Sequence, residues 1–530
     1  MLKKGIKIFE SILIAFFLLS MDVACEQYPQ PGSAPPHFRQ RNQTLPDTIE
    51  TQQIKLKLNA PTVRVIETYP YDLTTNNDNV LANFKTRIVT VENGLLNIEI
   101  NQPVIIEIPP FSDLKRMPNK RFGAQLAGQV NELLPRSTYI TFADFADRQE
   151  KITKLLSLAG VGILRDLQSY DTRRYQIEKS NGNYNFANTD LMTGLAYKYQ
   201  MDIIARLSLH SGPPRNLPEG TPADVDSYTQ YIRKTVERYD GDNNFGCKLA
   251  SPDCYVKGDG QYPDCGNDCK AWAKMHHIKY WETLKEPEPG RRNRVGNEPG
   301  LSAENAAYIL KISYDAIKSV DKNAQVYFSG MGPVLRGSDQ ERRTSEGDYL
   351  KQLFASNKEI VFDIFGFDAY TQDLCKKASE QLSYIRTYRN YNQPLWIGQI
   401  AAPDIANPGP FGGSERRQSE AMVKIFTNAF ACGVEKVFWG DFLDSSKENK
   451  LAPGRPIGGK RIMQATGLFY TETWELKPAY FTFKLLSSEL DDIRKIERIA
   501  DNIFKFSFNG RSDIYIVWPA RQVDRLSVNR

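Results

Sequence analysis

The chain has 530 residues, 41% of them hydrophobic and 25% charged, the proportions of a folded protein and not of a disordered one. Sixty-eight Lys and Arg against 63 Asp and Glu leave a net charge of +5, too dilute over this length to imply a nucleic acid partner. Only four histidines occur, His37, His210, His276 and His277, so a His-rich metal centre is hard to build, and neither a metal nor a cofactor is expected.

At the N-terminus, Lys3, Lys4 and Lys7 precede an apolar run of eight residues at 12–19, ILIAFFLL, which has the pattern of a secretory signal and is too short to span a bilayer. Asp22-Val23-Ala24-Cys25 resembles a bacterial lipoprotein box, although an aliphatic residue is usual where Asp22 stands. The expectation is a signal over residues 1–25 and a cell-envelope lipoprotein anchored at Cys25, its only contact with the membrane; plain cleavage to a secreted or periplasmic protein is the alternative. Residues 26–52 contain Pro29, Pro31, Pro35, Pro36 and Pro46 and read as a tether.

Alternating runs within residues 53–110, such as Ile54-Lys55-Leu56-Lys57-Leu58, predict strands. From 120 to 490, short apolar runs alternate with helical stretches. The runs at 122–126, 162–165, 202–207, 278–281, 325–329, 362–367, 395–397 and 436–439 are eight strand candidates. Among the helical stretches are 302–320, with Ser302 as N-cap, and 414–431. Eight β/α repeats predict an α/β fold of the TIM (β/α)8 barrel type, with active residues at the C-terminal strand ends. Residues 491–530 add two strands around the Asn509-Gly510 turn. Neither flanking piece can bury a core alone, so the two are expected to join in one β-sandwich beside the barrel.

Seven cysteines minus Cys25 leave six. Cys247, Cys254, Cys265 and Cys269 crowd into one loop and read as two local disulfides, while Cys375 and Cys432 read as inert buried thiols. Asp240, Asp242 and Asn244 have the alternation of a calcium loop, but Phe245 and Ser251 stand where an EF-hand needs Gly and Glu. Gly454-Arg455-Pro456-Ile457-Gly458-Gly459-Lys460 fits a P-loop only up to its Lys, because Arg461 replaces the required Ser or Thr.

The most informative stretch is Tyr280-Trp281-Glu282-Thr283-Leu284-Lys285-Glu286-Pro287, at the fourth strand. With Phe122-Gly123, Gly162-Ile163-Leu164-Arg165, Phe367-Asp368-Ala369-Tyr370 and Val437-Phe438-Trp439 in order, the chain resembles the clan A retaining glycosidases, nearest the xylosidase and iduronidase type of family 39. The resemblance implies that Glu286 is the acid/base and that carbohydrate is the ligand. It also implies that Arg165, Tyr370 and Trp439 belong to the sugar site, with Trp439 as an aromatic platform and His210 on the same face.

Three positions depart from the family pattern. Gln399, in Pro394-Leu395-Trp396-Ile397-Gly398-Gln399, stands at the nucleophile Glu; Lys285 replaces a sugar-binding Asn; and Asp368 replaces a His. An amide cannot form a stable glycosyl ester. The favoured expectation is an exported, catalytically impaired glycosidase that binds poly- or oligosaccharide. The alternatives are an active glycosidase using Asp368 or Asp441 as base or the substrate's own nucleophile, and a surface scaffold or adhesin.

Overall fold

The computed structural model describes residues 51–520 except 77, 112–113, 115–117, 126–141, 166–176, 181–182, 208–224, 243–272, 286, 288–300, 331–347, 356–359, 370–372, 389–392, 405–413, 441, 445–464 and 471–472. The signal, Cys25, nearly all of the tether and the four-cysteine loop therefore lie outside the described residues, as do His210, Glu286, Tyr370 and Asp441.

Five strands open the described chain: β1 (Gln52–Lys57), β2 (Thr62–Glu67), β3 (Thr86–Thr90), β4 (Leu95–Ile100) and β5 (Val104–Glu107). Then follow β6 (Asn119–Gln125), α1 (Phe142–Leu158), β7 (Val161–Arg165), the short pair β8 (Glu178–Ser180) and β9 (Asn183–Tyr184), α2 (Ala187–Lys198), β10 (Asp202–Arg206) and α3 (Val225–Tyr239). Next come β11 (Tyr280–Glu282), α4 (Ala303–Val320), β12 (Gln325–Phe328), β13 (Ile364–Asp368), α5 (Leu374–Tyr388), β14 (Leu395–Ile400), α6 (Glu415–Ala431) and β15 (Lys436–Trp439). The chain ends with the two-residue strands β16 (Leu443–Asp444) and β17 (Phe469–Tyr470), α7 (Pro478–Glu489), β18 (Ile493–Ala500), β19 (Ile503–Phe508) and β20 (Ile514–Val517).

Strands β6, β7 and β10 through β15 close into one parallel eight-stranded barrel, the TIM barrel that the alternating runs predict. The caps follow from sequence: Ser302 Oγ accepts the Asn305 amide at 3.2 Å and Ser414 Oγ the Arg417 amide at 3.2 Å. Strand alternation divides the side chains. Ile163, Ile204, Tyr280, Tyr327, Ile364, Trp396 and Phe438 fill the barrel interior, while their neighbours along the strands face the helices. Phe438 fits only because Gly123 on β6 has no Cβ, which its ring would overlap. On the outer side Phe122 stacks on Phe426 of α6 at 4.5 Å and meets Phe483 of α7 edge-on at 5.4 Å.

Both flanking pieces enter one six-stranded sheet, β18-β19-β20-β5-β2-β3, as the sandwich expectation requires. The C-terminal piece supplies three strands to it, one more than the sequence pattern predicts. Along β5 and β20, Val104, Ile106, Tyr515 and Val517 pack against the two-stranded β1–β4 sheet, whereas Ile105, Ile514 and Ile516 join the barrel's core. A period of two thus covers both faces of the sheet. Buried polar groups fix the joint: Asn119 Nδ2 donates to the Ser487 carbonyl (2.8 Å) and Thr482 Oγ1 to the Thr68 carbonyl (2.9 Å). Arg64 pairs with Glu107, and Arg511 pairs with Glu489 (3.1 Å), whose carboxyl burial and Glu107 push upward.

Cys375 and Cys432 are not free thiols. Helix α5 runs beside α6, which brings their Cα atoms, 57 residues apart in sequence, to 5.0 Å, and they form a disulfide. Cys375→Ser is expected to lower unfolding free energy by about 2–4 kcal/mol, because a long loop is no longer closed in the unfolded chain. Urea denaturation of wild type and variant, with and without reductant, checks this: the reductant should bring the two midpoints together.

Candidate functional site

Above the apolar layer, the next inward positions at the C-terminal ends of the barrel strands are polar. Two residues beyond the interior Ile163, Ile204 and Tyr280 stand Arg165, Arg206 and Glu282, all buried. Arg165 Nη2 and Nε donate to Glu282 at 2.9 and 3.2 Å, a two-pronged bond from β7 to β11. Its Nη1 donates to the Gly398 carbonyl of β14 and lies 3.6 Å from Asp368 Oδ1 of β13. The guanidinium carbon sits 5.5 Å from the Tyr327 ring centre. Burial opposes the charge on Arg165, but Glu282, Tyr327 and Asp368 together hold its pKa well above the ordinary value. Burial pushes the Tyr327 phenol upward as well.

Gly398 is where these groups crowd. A Cβ there would lie 2.6 Å from Tyr327 Oη, 2.8 Å from Arg165 Nη1 and 2.9 Å from Asp368 Oδ1. The ladder register shifts between Phe367 and Asp368 against β14, and between Ile397 and Ile400 against β15. Such an irregularity re-aims a side chain at a barrel rim. Gln399, 6% exposed, lies across Gly440, whose missing Cβ would be 2.9 Å from Gln399 Cγ and 3.2 Å from Gln125 Cβ. Gln125 ends β6. With its amide oxygen on Lys285 Nζ (3.1 Å), its nitrogen donates to the Gly398 carbonyl (3.3 Å).

The fold therefore gathers four of the residues singled out from sequence: Arg165, Lys285, Asp368 and Gln399. Two of the expected sugar-site residues, Arg165 and Trp439, are enclosed. Arg165 is wholly buried and bonded to protein groups. Trp439 is not a platform over the cleft: it points outward from β15, fully buried, stacks on Phe426 of α6 at 6.4 Å and donates Nε1–H to the Thr466 carbonyl at 2.9 Å. The interior position belongs to its neighbour Phe438, one residue away and therefore on the opposite face. Lys285 is 7% exposed and faces Gln125.

Glu282, Arg206, Gln125 and Tyr327 are members that the motif reading passed over. A signal for two of them was present. Ile-x-Arg in the second and third strands and Tyr-x-Glu in the fourth share one spacing, an interior apolar residue followed two positions later by a charge. Gln125 and Tyr327 have no such mark.

Among the described residues one acidic group has the closeness of a cation site: the carboxylates of Glu237, Asp240 and Asp242 lie within 4.8 Å of one another. Burial pushes Asp240 up to about 7. The three lie at the end of α3 and just beyond it, apart from the Arg165 cluster in the chain, and they have no demonstrated ligand.

No protein-family model matches the sequence, and no curated protein matches it significantly. Solved structures do share its architecture. A GH39 β-xylosidase from Caulobacter crescentus is 11% identical, with 75% of this chain and 78% of that one covered and a TM-score of 0.45. A glucosidase from Croceicoccus marinus is 14% identical over 70% and 77% (TM-score 0.44). A mutant xylanase 10C from Cellvibrio japonicus, in complex with xylopentaose, is 10% identical over 83% and 91% (TM-score 0.44).

Removing one partner of the enclosed pair leaves a charge without solvent. Glu282→Gln is expected to destabilise the protein by about 3–5 kcal/mol. Arg165→Met combined with Glu282→Gln should cost less than the sum of the single changes, because the orphaned charge is gone. Denaturant unfolding of the four proteins in this cycle measures the difference.

Proposed function

We propose that the protein binds oligosaccharide at the mouth of a glycoside hydrolase-like barrel and does not hydrolyse it. The observation that carries the reading is chemical. The rim side chain of the seventh barrel strand is the amide of Gln399, and two buried carboxylates at the strand ends, Glu282 and Asp368, face the Arg165 guanidinium. A retaining glycosidase needs one carboxylate to attack the anomeric carbon and a second carboxyl group to protonate the leaving oxygen. Glu286 supplies the second in this reading. An amide at 399 can hydrogen-bond sugar hydroxyls but forms no stable glycosyl ester.

Asp368 is 3% exposed and its Oδ1 lies 3.6 Å from the Arg165 guanidinium, so it faces a protein cation inside the barrel. The reading extends to location: an exported protein, lipid-anchored through Cys25, with sugar reaching the barrel from outside the cell. The Cys375–Cys432 disulfide accords with an oxidising compartment.

Wild type and Gln399→Glu should be assayed against a panel of aryl glycosides. The expected outcome is no turnover by wild type and measurable release by the variant on at least one glycoside. Wild-type hydrolysis with inversion of the anomeric centre would instead place the base at Asp368 or Asp441 and overturn the proposal.

A further inference from the structure

The accessory sandwich has a recess of about 460 Å³ whose lining is Glu67, Tyr71, Phe84, Lys85, Thr86 and Arg87. Its volume lies in the range of roughly 300–1,000 Å³ typical of small-ligand sites. The recess forms where β2 ends and β3 begins, and the chain between them is pinned. Glu67 N donates to the Lys85 carbonyl (3.0 Å) and Tyr71 N to the Asn83 carbonyl (3.0 Å). Asn83 is buried, and its Nδ2 donates to the carbonyls of Asp72 (2.9 Å) and Thr75 (2.6 Å). The lining is thus set by backbone before any ligand arrives.

We propose that this recess is a second saccharide site, separate from the barrel mouth, and that it takes a sugar bearing a carboxylate, a uronate. Four features converge on that chemistry. The Tyr71 ring is 60% exposed although its backbone is fixed, so it offers an apolar face on which the C–H side of a sugar ring can lie. Glu67 Oε2 accepts from Gln102 Nε2 at 2.7 Å, which orients the carboxylate and leaves Oε1 for a hydroxyl. Arg87 spends Nη2 on the Glu99 carbonyl (3.0 Å) and keeps its other N–H groups. Lys85 pairs with no carboxylate among the described residues.

Two cations against one carboxylate give the lining a net charge of +1, which favours an anionic substituent over a neutral hexose. A phosphate alone would use Lys85 and Arg87 but would be repelled by Glu67 and would leave Tyr71 without a purpose. A sugar acid uses all four.

The site is independent of the barrel reading, so its test is too. Methyl β-D-glucuronide and methyl β-D-glucoside should be titrated into the full chain by ligand-observed NMR, with inorganic phosphate as competitor. Wild type is expected to bind the glucuronide saturably and more tightly than the glucoside. Lys85→Ala should weaken glucuronide binding by about 5-fold or more and leave the glucoside within about twofold. Tyr71→Ala should weaken both sugars by about 10-fold. Both variants lie in the sandwich, so a loss that they cause separates this site from the mouth. No saturable glucuronide binding, binding unaltered in both sandwich variants, or displacement by phosphate at equal concentration would each overturn the proposal.

Discussion

The Arg165 guanidinium is the group around which the barrel's upper interior is arranged. It carries a charge that cannot reach water, and an isolated ion in such a place costs several kcal/mol. It is held because four strands answer it: β11 with the Glu282 carboxylate, β14 with the Gly398 carbonyl, β13 with Asp368, and β12 with the Tyr327 ring. These contacts require Gly398 to lack a side chain. They also fix the ends of the strands from which the mouth rises. Lys285 and Gln125 extend the same polar layer toward Gly440, across which Gln399 lies.

That arrangement has a chemical consequence. A carboxylate can serve as scaffold or as nucleophile, and a guanidinium that holds both of its oxygens in hydrogen bonds favours the first. Glu282 is committed in this way, and Asp368 is drawn toward the same cation. The position that the resemblance assigns to the nucleophile carries an amide. Sugar binding survives such a change more readily than bond cleavage does, because hydroxyls need hydrogen-bond partners and not a leaving-group ester. If the sandwich adds a uronate site beside the barrel, the protein engages carbohydrate at two places without needing to turn it over at either.

Much of this was legible in the sequence, for a definite reason. All eight barrel strands are buried on both faces, so each reads as a short apolar run that the intervening helices space out. Ser302 announced its helix because a cap is a local device. What failed was what depends on side-chain direction and on long-range pairing. Trp439 sits at the right height on its strand but one residue out of phase, so Phe438 takes the interior and the indole meets α6. The register shift of β14 against β15 around Gln399 is likewise nothing a single-strand pattern encodes. Cys375 and Cys432 carry no spacing signal, since their meeting depends on two helices packing side by side. Strand β18 alternates weakly because it lies at the sheet's edge, largely exposed, and it escaped notice.

The central claim is that the mouth holds sugar without breaking it. The most direct measurement titrates the full-length protein with xylo-, gluco- and manno-oligosaccharides in water enriched in oxygen-18 and recovers each ligand for mass spectrometry. The expected result is saturable binding of at least one series, with that ligand recovered at its original mass. Recovery of shorter oligosaccharides carrying one oxygen-18 at the new reducing end, by the wild-type protein, would contradict it.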